Sequence, residues 1–397
     1  MIYFYWIAGT ILAVIWIWRL LDCAIGMRSV ADLSHQEWDR PAAVRAPRVS
    51  VIVPARNEEA CLEQALTSLL QLDYPQYEII AVNDRSTDRT GEIMERVANL
   101  AENTPGSRGR LRVMHIDKLP EGWLGKTHAM WTASERTSGE WLLFTDADVI
   151  FRADSLRRVM AYANDTGADH IVLFPTMVMK SAGERMMNAF FFTLFVFGHR
   201  PWKVADPNAR DHIGVGAFNL IRRSAYEGIG SYRALRLEVI DDMKLGKAVK
   251  EHHFAQRSAF GPGLLCLRWA QGAMGVVHNL TKNFFALMLF QWPRTLASCL
   301  VLLFLNLGPF LGIIFAPGWA KAGYAGAFLA IAALYVGISR KIEISPAYVL
   351  LHPVSTLLLV YTILRSMFVT LWHGGVVWRG TIYPLKELRK GTTYSGF

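Results

Sequence analysis

Cysteine is scarce in this chain of 397 residues, which carries only Cys23, Cys61, Cys266 and Cys299. The four are scattered, with neither the paired spacing of a zinc site nor the density of a disulfide framework, which fits a reducing compartment. Charge is scarce too: 19% of residues are Asp, Glu, Lys or Arg, against 52% hydrophobic. That balance is rich for a soluble protein, and 13 Trp with 21 Phe point to a lipid interface. The Gly-rich loop of a dinucleotide fold is absent, and so is a Walker sequence. No basic-aromatic nucleic-acid module occurs. The net charge of +9 therefore reads as cytosolic loops facing anionic lipid, not as a nucleic-acid footprint.

What is present is organised around Trp141–Asp148, where four apolar or aromatic residues run into two carboxylates one residue apart. Extended backbone would point Asp146 and Asp148 to one face, at the carboxyl end of a strand. In open α/β sheets that end is where ligands bind. Paired oxygen ligands suit a hard cation, Mg²⁺ or Mn²⁺, which usually keeps company with phosphates.

From Ala46 to about Pro175 strand and helix patterns alternate. Strands are expected at Val49–Val53, Glu78–Val82, Leu111–His115, Trp141–Thr145 and His170–Phe174. Helices are expected after Asn57, Asp88, Gly125 and Arg152. The alternation predicts an α/β domain with a mostly parallel sheet and helices on both faces. Polar strand-end loops then fall on one edge: Pro54–Glu58, Asn83–Asp88, Gly122–Lys126 and the Asp146/Asp148 pair. Pro54 is expected to stop its strand and Asn57 to cap the next helix. Singly, each loop reads as turn chemistry. Together they suit a nucleotide, with carboxylates for ribose and base, Lys126 for a phosphate and a metal for the diphosphate.

In order and spacing these motifs resemble the GT-A catalytic domain of family 2 inverting glycosyltransferases, over roughly Pro47 to Phe285. The elements are Val53-Pro54-Ala55-Arg56-Asn57-Glu58, Val82-Asn83-Asp84-Arg85-Ser86-Thr87-Asp88, Gly125-Lys126, Asp146-Ala147-Asp148 and Asp241-Asp242. Asn83 stands where the family often has aspartate, so nucleotide contact is rested on Asp84. The resemblance implies that Pro54, Ala55, Glu58 and Asp84 line the base and ribose, and that Lys126 approaches the base or diphosphate. It places Asp146 at the nucleotide sugar and the metal, Asp148 on the metal, Asp242 as general base and Asp241 in support. Arg268-Trp269 partly resembles a Gln-x-x-Arg-Trp element whose glutamine position is Leu265. The pair is either a cation and aromatic at the substrates or a structural pair. Gly214–Asn219, by the same analogy, flanks the donor sugar.

Apolar segments flank this domain. Ile2–Trp18, with Leu20 and Leu21, reaches the roughly 20 residues of a bilayer span, and no small-residue cleavage site follows. Arg19, Arg28, Arg40 and Arg45 put its C-terminal side in the cytosol. Asn188–Gly198 is too short to span and is expected as an interfacial helix, with a buried core helix as the alternative. Leu296–Phe315, Gly323–Ile338 and Tyr348–Trp372 follow, but three crossings leave the tail outside while Arg379, Lys386, Arg389 and Lys390 argue that it is inside. One of the three is therefore expected to be re-entrant or interfacial. The tail Trp378–Pro384 resembles a closing segment of membrane-bound members related to ceramide, carotenoid and hopanoid-associated glycosyltransferases. It either covers the catalytic edge or anchors at the lipid surface.

The expected organisation is a transmembrane helix (1–22), a cytosolic catalytic domain (46–282), interfacial and transmembrane helices (283–372) and a basic tail (373–397). The expected protein is a multi-pass enzyme of the inner, cytoplasmic membrane. It moves a sugar from a nucleotide diphosphate sugar, UDP-linked, to a lipid hydroxyl with metal assistance and no nucleic-acid partner. Transfer to a polyprenyl phosphate and processive polysaccharide synthesis are the enzymatic alternatives. A non-catalytic nucleotide-sugar-binding membrane protein is the alternative of another class.

Overall fold

Val49–Ala55, Tyr77–Asp84, Leu111–Ile116, Trp141–Phe144 and His170–Phe174 are strands separated by helices Leu62–Leu70, Thr90–Glu102, Gly125–Ser134 and Ser155–Thr166. This is the alternation read from the sequence, in a computed structural model that describes residues 2–43 and 45–391. The strands join an eight-stranded sheet. Its order is Ala31–Asp32, Gln256–Phe260, His170–Phe174, Asn219–Arg222, Trp141–Phe144, Val49–Ala55, Tyr77–Asp84, Leu111–Ile116. Asn219–Arg222 runs antiparallel to both neighbours, and the other pairings are parallel.

Strand alternation divides the interior in two. Val49, Val51, Val53, Ile79, Leu143 and Leu173 face one core, while Ile52, Ile80, Val82, Leu142, Phe144 and Ile221 face the other. Burial on both faces is why these strands read as nearly continuous apolar runs. The strand at Ala31–Asp32 precedes residue 46, so the sheet begins earlier than the expected domain boundary. Its two residues are too few to carry a periodic signal.

Several local expectations are corrected. The strand runs through Pro54 to Ala55, because proline removes one donor from the ladder and leaves the next residue free to pair with Asn83. Asn57 caps no helix, since the next one starts at Leu62. Instead Asn57 sits at φ 56°, and its Oδ1 accepts from Thr87 N at 2.8 Å, stitching the first loop to the second. Asp146 and Asp148 lie in the turn after Phe144, not in extended backbone. The segment around Asn188–Gly198 belongs to a longer helix, Ala182–Gly198, about half of whose residues are buried. It packs against Gly272–Thr281, Lys321–Ile342 and His352–Trp372. The buried alternative therefore holds for the face around Met187, Phe190 and Thr193, while Phe191 and Phe195 are half-buried and line a cavity.

Among the described residues three helical segments are long and apolar enough to cross a membrane, Ile2–Ser29, Gly318–Ile342 and Pro346–Trp372, and the pair Gly272–Leu287 and Trp292–Asn306, bent by 119°, is a fourth apolar stretch of that size. Small residues bring the first two close. A Cβ on Gly323 would sit 2.6 Å from the Gly9 carbonyl carbon, so glycine is required for that approach. Phe4, Ile7, Val14, Leu300, Phe304, Ile314, Leu329 and Phe368 are exposed on these segments and their neighbours. The expected span Leu296–Phe315 is broken into Trp292–Asn306 and Gly308–Phe315. Gly308-Pro309 accounts for the break, since Pro309 has no amide hydrogen for the preceding helix.

The third segment returns to where it began. Before it, Lys341 Nζ lies 3.7 Å from Asp32 Oδ2 on the edge strand. After it, the hairpin Gly375–Trp378/Thr381–Pro384 docks on the catalytic edge, where Tyr383 OH accepts from Gly125 N at 3.1 Å. Both ends of residues 342–374 thus lie against the sheet domain. Of the two expectations for the tail, the structure has the one in which it covers the catalytic edge. Residues 392–397 of that tail lie outside the described residues.

Candidate active site

Four parallel strands end on one edge, at Ala55, Asp84, Ile116 and Phe144. The antiparallel strand begins there, with Asn219 opposite Phe144. A chain entering that strand must cross the edge first, which brings Gly214–Ala217 over the Asp146 turn. Asp146 N donates to Gly216 O at 3.1 Å. A cavity of about 1290 Å³ opens at this edge. Pro54, Ala55, Glu58, Asp84, Lys126, Asp146, Asp148, Asp241, Asp242 and Trp269 all line it. Arg268 does not.

The electrostatics centre on Lys126, at the start of helix Gly125–Ser134. Its Nζ lies 2.8 Å from Asp146 Oδ1 and 3.5 Å from Asp241 Oδ2. Burial alone would lower the lysine, but Asp146, Asp241 and Asp242 more than offset it and hold it protonated. Burial also opposes the charge on Asp146, yet the Lys126 ammonium keeps that carboxyl below the usual carboxylate range. Asp241 is pushed the other way, upward, chiefly by burial and against the pull of Lys126. Asp148 is raised to about 7 by burial, then by Asp146 and Glu58.

Asp241 and Asp242 open the helix Asp241–Glu251, where the macrodipole favours carboxylates. Asp242 is fixed by two backbone donors, Gly216 N to Oδ2 at 2.9 Å and Met243 N to Oδ1 at 2.8 Å. Each oxygen keeps a further lone pair for an incoming hydroxyl. Asp84 is gripped bidentately by Arg85, at 2.7 and 3.0 Å. Asn83 bonds Ser86 N and His115, away from the cavity.

The expectation for Arg268 is corrected. Arg268 Nη2 lies 2.7 Å from Glu184 Oε1, and Glu184 also accepts from Gly272 N and Lys180 N. A buried carboxylate with three donors anchors helix Ala182–Gly198, and Arg268 serves that anchor. Trp269 remains at the cavity, its ring 4.9 Å from that of Phe191.

Sequence reasoning assigned no site role to Lys282, Arg365, Trp378, Arg379 or Tyr383, all of which line the cavity. The tail motif Trp378–Pro384 was the available signal. Nothing local in the sequence ties it to Glu58, more than three hundred residues earlier, which Arg379 pairs with.

Among the described residues no three His, Cys, Asp or Glu side chains form a ready metal cage. Mg²⁺ and Mn²⁺ do not require one, since one or two carboxylates plus substrate phosphates suffice. Asp148 fits, as a hard oxygen donor that no ion pair engages among the described residues, with Asp146 beside it.

Residues 50–230 match the family described as glycosyl transferase family 2. The chain carries a family 2 glycosyl transferase domain. Relatives of this glycosyltransferase include proteins named 4,4'-diaponeurosporenoate glycosyltransferase from Staphylococcus aureus strains RF122 and N315. Each is 21% identical over 383 residues, spanning 94% of this chain and 99% of theirs. A solved mannosyltransferase, PcManGT from Pyrobaculum calidifontis in complex with GDP-Man and Mn²⁺, superposes with a TM-score of 0.54 at 19% identity. It covers 93% of this chain and 99% of that one. At that identity the likeness speaks for the fold: a GT-A-like α/β domain with apolar helices at both ends.

Proposed function

We propose that this glycosyltransferase is membrane-embedded and transfers a sugar, with inversion, from a nucleotide diphosphate sugar to a long apolar acceptor. The proposed donor is UDP-linked. The carrying observation is that one cavity joins two chemistries. Its lining combines Glu58, Asp84, Lys126, Asp146, Asp148 and Asp242 from the sheet domain with an apolar wall of Phe191, Phe195, Val301, Leu302, Leu305 and Ile363 from the helices. A soluble sugar acceptor has no use for the apolar wall. The curated relatives, named for diaponeurosporenoate, support a carotenoid-type acceptor.

In this reading Pro54, Ala55, Glu58 and Asp84 bind the nucleoside, which Asp84 meets by exchanging its Arg85 partner. Asp146 and Asp148 would hold Mg²⁺ or Mn²⁺, which when bound stabilises the charge developing on the departing diphosphate. Lys126 positions Asp146 and Asp241 and adds positive potential beside that charge. Asp242 accepts the acceptor's hydroxyl proton as its oxygen bonds to the anomeric carbon. The bond from that carbon to the diphosphate oxygen breaks with its electron pair leaving on the nucleoside diphosphate. The Gln-x-x-Arg-Trp element, which a processive synthase would need complete, lacks its glutamine at Leu265, and its Arg268 is engaged by Glu184. Exposed apolar side chains on the terminal helices, and both ends of residues 342–374 meeting the sheet domain, support a cytosolic catalytic domain with a cytosolic tail.

Membranes bearing the protein should convert labelled nucleotide sugars into a glycosylated lipid, read by mass analysis of the extract. Asp242→Ala should lower transfer about 10²- to 10⁴-fold, and Asp148→Ala by a similar factor, with both proteins still folded. Full activity in either variant would refute its assigned role.

A further inference from the structure

The tail hairpin sits within the active-site rim. Arg56 Nη1 donates to Thr381 Oγ1 at 2.9 Å, Arg379 Nη1 donates to Arg56 O at 2.8 Å, and the Arg379 guanidinium pairs with Glu58. On the adjoining strand, Trp378 offers its ring to Lys282, whose Nζ lies 4.2 Å from the centroid. Arg379 lines the same cavity as Asp146 and Asp148, with its side chain 42% exposed.

Its backbone is unusual. Arg379 and Gly380 form the two-residue turn between the hairpin strands, with φ of 48° and 76°. Such turns require positive φ at both central positions, which favours Asn-Gly or Asp-Gly. Arginine is a poor choice for the turn itself. An outlier of this kind at a site rim points from conformation to function.

The charge inventory supplies the function. Lys126 already serves Asp146 and Asp241, Lys282 lies over the Trp378 ring, Arg56 bonds Thr381, Lys341 pairs with Asp32, Arg365 lines the cavity from the last apolar helix, and Arg268 serves Glu184 outside it. Arg379 is a guanidinium fork at the mouth, beside the carboxylates that would meet the donor, and a fork matches phosphate oxygens bidentately. We propose that Arg379 is a substrate-contacting residue, carried by the tail hairpin to the donor diphosphate in the role expected of Arg268. Binding of the donor moves the guanidinium from Glu58 to phosphate oxygens and leaves Glu58 free for the nucleoside. The assignment rests on the nucleotide-sugar reading of the site.

The test uses full-length protein in detergent, titrated with UDP and GDP in the presence of Mn²⁺, with uridine and guanosine as phosphate-free probes. Arg379→Asn suits the positive φ of the turn and removes the charge. It should weaken diphosphate binding about 10- to 100-fold without weakening nucleoside binding, because the substitution also frees Glu58, while Arg379→Lys recovers part of the loss. Equal weakening of nucleoside and diphosphate, or no change in either, would overturn the assignment with the nucleotide reading still standing. Failure of the unaltered protein to bind either diphosphate would overturn both.

Discussion

At the scale of single residues, neighbours decide what a carboxylate or a histidine can do. Asp146 and Asp148 are two positions apart, yet Lys126 holds one ionised while the other, buried beside Asp146 and Glu58, is pushed up to about 7. His170 illustrates the same rule in the core. Its Nε2 donates to Asn219 Oδ1 at 3.2 Å, and its Nδ1 accepts from Gln256 Nε2 at 2.8 Å. Gln256 in turn accepts from Ile213 N, so the network supports the loop that crosses the site. Burial lowers the His170 pKa to about 4. The unfolded chain takes up that proton near pH 6.5, the folded one only near 4. Stability therefore falls as pH drops through this window, by roughly 3 kcal/mol at its lower end. His170→Gln, a neutral amide with donor and acceptor, should flatten this part of the curve of melting temperature against pH between 7 and 4. An unchanged difference between those two pH values would show that His170 does not set it.

At the scale of elements, the site depends on a loop meeting a helix end. Gly214 packs so closely under helix Asp241–Glu251 that a Cβ would lie 1.7 Å from the Asp242 carbonyl oxygen; one on Gly216 would lie 2.5 Å from Asp146 Oδ2. Gly214→Ala must displace the helix start and, with it, Asp242, the proposed base. The expected cost is about 1–3 kcal/mol of stability, with a larger proportional loss of transfer. Calorimetry and the lipid assay on the same preparation check this. Parallel strands and their polar ends were legible in the sequence because buried runs and turn residues are local signals. Short strands such as Ile150–Phe151, Thr176–Met177 and Leu265–Leu267 were not, since two or three residues have no period to read. Helix Ala182–Gly198 was legible as apolar but not as buried, because its cover comes from segments far along the chain.

At the scale of the whole molecule, the apolar helices wall the cavity that the sheet edge opens into. Ala297→Trp, on helix Trp292–Asn306 in the apolar wall, should block acceptor entry and cut lipid transfer at least about tenfold, while nucleotide binding is kept. Loss of both would place Ala297 in the fold's support, not in an acceptor path. A basic tail on the cytosolic side is at odds with three C-terminal crossings, and the contacts of Lys341 with Asp32 and of Tyr383 with Gly125 hold the two ends of the last apolar segment against the sheet domain. Pro346–Trp372 has the length and hydropathy of a span, but both its flanks are tied to one domain. Length and composition are properties of a segment; crossing is a property of where its two ends are held.

By itself the sequence determined the α/β class, the strand-end motifs, the acidic pairs and the presence of apolar segments at both ends. These follow from patterns a few residues long, in which side-chain alternation and turn chemistry act locally. Only the tertiary structure decided that Arg268 turns away to Glu184, that Arg379 arrives at Glu58, and that the last apolar helix returns to the domain it left. Each of those depends on contacts between residues tens to hundreds of positions apart, whose partners are chosen by packing and charge after the chain has folded.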